Sequence, residues 1–183
     1  MTQLRSFAPW IVYPIAASMF GWRVGSTLAL TLCIFGLVRA RRSGGADSFV
    51  VGAGLFFAAL VAIAFSDPTS SVHRFVPALV PAALAVAAAA SILIGQPFTV
   101  AFAKRVAPQE FWGTPLFDHI NTVLTSVWAA SFAVTAALIA AVLATEPHAV
   151  GLLIGVQVVG FVVPMRISRT YPAAARGRYT ATT

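Results

Sequence analysis

The fold is decided by residues 76–94, which read VPALVPAALAVAAAASILI. This run contains no charged side chain, and its alanine-rich part shows no alternation of polar and apolar residues. A membrane span needs roughly 17 to 25 mostly apolar residues, because backbone amides in hydrocarbon must be hydrogen-bonded within a helix or a closed barrel. Barrel strands require alternation, which is missing here. We therefore predict that this segment is a transmembrane helix and that the fold is all-α.

The whole chain has the composition of a polytopic membrane protein. Of its 183 residues 59% are apolar and 9% are charged, and the mean hydropathy is +0.88. The other apolar windows are residues 7–20, 24–38, 49–65, 120–143 and 149–165. We predict six transmembrane helices, or five if the short, proline-containing window at 7–20 does not cross or is a cleaved signal peptide. They form one helical domain over residues 1–168, followed by a tail at 169–183.

Basic residues are unequally distributed among the predicted loops. With both termini inside, only Arg23 and Arg74 of the 12 Lys and Arg residues lie outside. The inner set is Arg5, Arg39, Arg41, Arg42, Lys104, Arg105, Arg166, Arg169, Arg176 and Arg178. Because Lys and Arg concentrate on the cytoplasmic side, we predict a bacterial inner-membrane (plasma-membrane) protein whose C-terminus is cytoplasmic. Cations beside span ends meet anionic lipid headgroups, so we expect lipid contacts and no binding of nucleic acid.

The longest connection, residues 95–119, is aromatic and interrupted by prolines. Pro97 suits the first turn of a helix, and Phe98, Phe102 and Val106 then follow at intervals of four. This pattern predicts an amphipathic helix on the cytoplasmic leaflet; alternatively, the same stripe packs on neighbouring spans. The candidate functional residues of this loop are Gly95, Gln96, Pro97, Phe98, Phe102, Lys104 and Arg105.

The remainder of this loop is typical of the membrane interface. Pro108 should end the amphipathic helix, since proline cannot continue a hydrogen-bonded helix. Aromatic side chains favour headgroup depth, where they form a belt that requires no ligand. The predicted belt consists of Phe111, Trp112, Phe117 and His119.

Two of the predicted spans carry polar side chains. Asn121, Thr125, Trp128 and Thr135 follow one face of the span at 120–143, and Gln157 lies near the middle of the span at 149–165. An amide at that depth needs a hydrogen-bonding partner or water. These residues form either contacts between helices or a polar path through a small channel or transporter.

Small residues recur at intervals of four on two spans. Gly151 and Gly155 form one row, and Gly54, Ala58 and Ala62 form another. Such rows let helices approach closely, which fits either a tight bundle or a homodimer.

Residue patterns of known chemistry are missing from the sequence. It contains no phosphate-binding P-loop, no zinc-protease motif, no nucleophile elbow and only one cysteine, Cys33. The three histidines fall on different loops. We therefore expect no enzymatic activity, no cofactor and no metal, although a membrane-embedded enzyme acting on lipid is an alternative.

The motifs around the long loop resemble those of a known family of bacterial inner-membrane proteins, the intracellular septation protein A family. In that family a span ends in a G-x-P motif, an asparagine opens the next span, and a W-x-x-x-F motif follows. The corresponding residues here are Gly95, Pro97, Asn121, Trp128 and Phe132. The similarity extends over nearly the whole chain, to Phe7-Ala8-Pro9, to the Arg39–Arg42 loop, and to Arg169 and Pro172.

This resemblance implies a role in envelope integrity, elongation or septum formation. Members of the family act through contacts with other envelope proteins and have no established enzymatic activity. We therefore expect partners among membrane lipids and among envelope or division proteins, with a channel or transporter as the alternative function.

Overall fold

The computed structural model describes residues 4–42, 48–146 and 148–182. Over these residues the chain contains seven α-helices and no strand, so the all-α prediction is confirmed. The helices are α1 (Leu4–Phe20), α2 (Trp22–Arg42), α3 (Ser48–Ser66), α4 (Val72–Leu93), α5 (Val100–Val106), α6 (Pro115–Thr145) and α7 (Val150–Thr182). A short 3-10 turn, Gln109–Phe111, lies between α5 and α6. The first and last residues of the predicted domain and tail, Met1 and Thr183, lie outside the described ranges.

Four helices in the described part of the chain are long and apolar enough to cross a membrane. Their spans are Trp22–Arg42, Val72–Leu93, Pro115–Thr145 and Val150–Gly177. Two shorter apolar stretches, Ala8–Phe20 and Val50–Ser66, belong to α1 and α3. By length and composition the chain is therefore a helical membrane protein.

Internal contacts group the chain into two compact units, Met1–Val76 and Pro77–Thr183, and the single helical domain over residues 1–168 stays a prediction. In the first unit a single residue, Gly21, joins α1 to α2. Its φ of +85° lies in the left-handed region that favours glycine. Gly25 is needed for a different reason, since a Cβ at this position would lie 2.8 Å from the backbone nitrogen of Ala17. These two glycines allow α2 to fold back closely on α1.

Aromatic packing attaches α3 to α1. The side chain of Phe57 is fully buried. Its ring centroid lies 5.0 Å from that of Trp10 and 5.7 Å from that of Tyr13. Offset and tilted ring pairs at these distances stabilise a fold beyond the area they bury.

Arg23, one of the two cations predicted outside, has a structural partner in the first unit. Its Nε donates a hydrogen bond of 2.8 Å to the backbone oxygen of Ala64, and its guanidinium lies 5.4 Å from the Phe65 ring centroid. Ala64 is in the last turn of α3, where backbone carbonyls receive no hydrogen bond from the helix itself. Arg23 therefore caps α3, which gives this exception to the charge rule a physical reason.

The second unit is organised around α6 and α7, which run antiparallel. The Ser131 hydroxyl donates to the Gly160 carbonyl at 2.7 Å, and the Trp128 indole donates to the Ser168 hydroxyl at 3.0 Å. Residue numbers thus rise along one helix as they fall along the other. α7 continues through the buried Pro164 and includes the segment predicted as a tail.

Candidate functional site

The turn after α4 wraps around the side chain of Ser91. The Ser91 hydroxyl donates to the Ala88 carbonyl at 2.7 Å and accepts from the Phe98 amide at 3.1 Å. The Gln96 amide bonds the Ser91 carbonyl at 2.8 Å, and Gly95 has a φ of +70°, which a helix-terminating glycine adopts readily. These bonds hold the Gly95–Phe98 segment against the end of α4.

The amphipathic helix is present but begins later than predicted. α5 starts at Val100, so Pro97 and Phe98 precede it and only Phe102 and Val106 of the predicted stripe are helical. The Phe98 amide donates to the Ser91 hydroxyl, and Phe98 belongs to the turn that follows α4. The end of α5 agrees with prediction, since the helix stops at Val106, two residues before Pro108.

Thr99 attaches the loop to α6 through a buried hydroxyl cluster. Its Oγ1 donates to the backbone oxygen of Asn121 at 2.9 Å and lies 2.9 Å from Oγ1 of Thr125. A hydroxyl has one proton, so Thr125 must be the donor in the second bond. Thr125 is fully buried and Thr99 nearly so. Thr125 therefore bonds to another segment. By contrast, most other Thr and Ser side chains of α6 bond back to their own helix.

The Asn121 side chain lies beside this cluster and is 1% exposed. Its Nδ2 donates to the Phe117 carbonyl at 2.8 Å, which fixes the orientation of the amide because the opposite flip would place two oxygens together. No described group donates to its Oδ1. A buried acceptor without a donor lowers the stability of the fold by about 1–3 kcal/mol, and Asn121 Oδ1 is such an acceptor beside the cluster.

Trp128 joins the loop, α6 and α7. Its ring centroid lies 6.5 Å from Phe98, 5.3 Å from Phe132 and 5.1 Å from Phe161. Its Nε1 also donates to Ser168. A half-buried indole that satisfies its N–H while packing on three rings is a well-defined contact. The loop is thus held from beneath by both hydrogen bonds and aromatic packing.

The opposite side of the loop is exposed, and we call it the loop surface. It consists of Phe102, Lys104, Arg105, Val106, Phe111 and Trp112. The Lys104 ammonium lies 5.2 Å from the Trp112 ring centroid, and the Trp112 Nε1 donates to the Ala107 carbonyl at 3.1 Å. These contacts fold the segment after α5 back onto it. The result is an exposed surface that combines apolar side chains with two cations.

Phe117 and His119, the other residues of the predicted aromatic belt, have different environments. Phe117 is buried, and its backbone N–H donates to Thr114 Oγ1 at 3.3 Å, so that Thr114 caps the start of α6. His119 is exposed.

The other predicted polar residues lie apart from the Thr99 cluster. Thr135 is buried, bonds its own helix at Ser131 and packs against Gly160. Gln157 is exposed on α7 and forms no side-chain hydrogen bond with the residues described. Ser131 of α6 faces Gly160 of the antiparallel α7, so Gln157, three residues before Gly160, lies level with Val134 of α6. Val134 is 13 positions beyond Asn121, which is roughly 20 Å along the helix axis. The two amides therefore belong to different sites, and a polar path through them stays a prediction.

Sequence reasoning missed Ser91, Thr99, Ser168 and Gly160 as candidate residues. Ser91 carried a usable signal, since it is the only hydroxyl residue in the run at 76–94. Ser168 and Gly160 carried none, because their roles depend on which residues of α6 they face.

Within residues 4–42, 48–146 and 148–182, no group of three or more His, Cys, Asp or Glu side chains could hold a metal ion. No protein-family model, curated protein or solved structure matches this chain. Its function is therefore argued from the sequence and from the geometry of the loop.

Proposed function

We propose that the chain is a non-enzymatic protein of the bacterial inner membrane that supports envelope integrity or cell division through contacts made by its loop surface. In this proposal α1, α2, α3, α4, α6 and α7 are six spans, and the loop and C-terminus are cytoplasmic. The resemblance to the septation protein A family and the distribution of basic residues support it. α5, with seven residues, is only about 10 Å long, which is too short to cross a bilayer, and the proposal therefore assigns it to the membrane interface.

The observation that carries the proposal is the two-sided construction of the loop. On its inner side, Thr99 and Phe98 bind it to α6. On its outer side, Phe102 and Val106 are exposed next to Lys104 and Arg105. A rigidly held surface with apolar side chains and cations suits contact with anionic lipid and with proteins at the interface.

The test compares two double variants that each replace one Phe and one Arg. The loop variant combines Phe102→Ser with Arg105→Gln. The control combines Phe20→Ser with Arg74→Gln, two exposed residues on the side predicted to lie outside. Both should insert, because all four replaced side chains are exposed.

Function is measured by complementation in a strain that lacks the gene, with cell length and envelope sensitivity as readouts and membrane fractionation as the insertion check. We expect the control to complement and the loop variant to fail although it is inserted. A loop variant that inserts and complements fully would overturn the proposal. Solute flux through the purified protein in liposomes would instead favour the channel alternative.

A further inference from the structure

One face of α7 combines exposed apolar side chains with a single amide. Val150, Ile154, Gln157 and Phe161 follow at spacings of four, three and four, which places them on one side of the helix. Val150 is 60% exposed, Ile154 59% and Phe161 45%, and Gln157 is exposed as well. We call these four residues the Gln157 stripe. Gly160 on the same helix contacts Thr135 of α6, and one edge of the stripe also reaches α6, since the Phe161 ring lies 5.1 Å from the Trp128 ring.

Gln157 lies at the centre of the apolar segment. It is eight residues from either end of the span predicted at 149–165, or about 12 Å of helix rise in each direction. A primary amide has two donor protons and a carbonyl acceptor, and within the described chain none of them has a partner. Leaving such a group in hydrocarbon costs several kcal/mol, so the stripe has a strong requirement for a polar partner at the same depth.

A second copy of the chain meets this requirement by symmetry. Two copies inserted in one membrane have the same orientation, so their α7 helices run parallel and each residue lies at the depth of its counterpart. Gln157 would then face Gln157, and an amide is self-complementary because it both donates and accepts. The spacing of the stripe is also the heptad spacing of parallel helix pairs, in which a single polar residue fixes the register. Any other protein would need a matching group at this depth by coincidence.

We propose that the Gln157 stripe is the contact surface of a parallel α7 homodimer, with the two Gln157 amides hydrogen-bonded to each other. This surface differs from the glycine row read from the sequence. Gly151 and Gly155 lie roughly 90° to 130° around the helix from the centre of the stripe. The two surfaces can therefore be tested separately.

Disulfide crosslinking in liposomes locates the surface. In a Cys33→Ala background, Ile154→Cys places a thiol on the stripe, and Val159→Cys places one at a similarly exposed position off it. We expect oxidation to give covalent dimers with Ile154→Cys and few with Val159→Cys. Equal crosslinking at the two positions, or an Ile154→Cys protein that remains monomeric, would overturn the proposal.

The role of the amide is tested by Gln157→Leu, which is compatible with folding because it replaces a polar group by an apolar one in lipid. Hydrogen bonds between transmembrane helices contribute about 0.6 to 1.7 kcal/mol, so we expect association to weaken by roughly 3- to 20-fold. Fluorescence energy transfer between labelled copies, diluted with lipid, measures this change. Gln157→Asn should keep most of the association and Gly155→Ala all of it. Association that is unchanged in Gln157→Leu, or lost in Gly155→Ala, would contradict the assignment.

Discussion

The contact between α6 and α7 predicts opposite effects for the same substitution at two glycines of one helix. A Cβ at Gly160 would collide with the Thr135 side chain, whereas a Cβ at Gly155 would meet no atom within 4 Å. Gly160→Ala should therefore destabilise the protein, and Gly155→Ala should not. The pair is matched, because the two changes add one methyl group to the same helix only five residues apart.

The magnitude follows from three contributions. Overpacking of a close contact costs about 1–3 kcal/mol. Separating the helices also strains the 2.7 Å bond from Ser131 to the Gly160 carbonyl, whose contribution is about 0.6 to 1.7 kcal/mol. Alanine offsets part of this cost, since it is favoured over glycine in helices by about 1 kcal/mol. We expect Gly160→Ala to lower the free energy of unfolding by about 1–3 kcal/mol and Gly155→Ala to leave it equal or slightly higher.

The assay is a denaturant titration in detergent micelles, followed by tryptophan fluorescence. Adding Thr135→Ala to Gly160→Ala removes the colliding side chain and should restore most of the stability. The hydroxyl lost in this rescue only bonds its own helix, so Thr135→Ala alone should cost little. Equal effects of the two glycine substitutions, or no rescue, would refute the geometry described for this contact.

Two further predictions concern hydrogen bonds between segments. Thr99→Val should lower the free energy of unfolding by about 0.5–2 kcal/mol and Thr125→Val by less, because Thr99 loses two hydrogen bonds and Thr125 one. Unfolding of the two single variants and the double variant gives the coupling energy between the two side chains, and a coupling energy of zero would contradict the cluster. Arg23→Gln should cost about 1.5–3 kcal/mol, because it removes a charged donor from the Ala64 carbonyl. Arg23→Lys should recover part of that loss, and a free energy of unfolding unchanged by Arg23→Gln would argue against the cap.

The fold class was predictable because the bilayer imposes a simple length rule. The run at 76–94 required a helix before any tertiary contact was known. The ends of two helices were also predictable from the sequence, since α5 ends two residues before Pro108 and α4 ends two residues before Gly95. The start of α5 was not predictable, because the path of the Gly95–Phe98 turn depends on hydrogen bonds to Ser91 of α4.

The candidate site was predictable only in part. The polar face of α6 drew attention to Asn121 and Thr125, which are both buried, and not to Thr99. Their partner Thr99 lies 22 and 26 positions away, so the bond depends on the path of the loop. Sequence periodicity shows which residues share one face of a helix, but it does not show which other segment of the chain contacts that face.

The two amides show how position on a helix determines what a polar group does in a membrane. The Asn121 side chain is buried, and its Nδ2 donates to the carbonyl of its helix neighbour Phe117 at 2.8 Å. Gln157 has a longer side chain and the same functional group, yet it is exposed among apolar neighbours. An amide bonded inside its own chain contributes to the stability of one molecule, whereas an amide that faces lipid can be satisfied only by another molecule. The first therefore belongs with the internal structure of α6, and the second with association between copies.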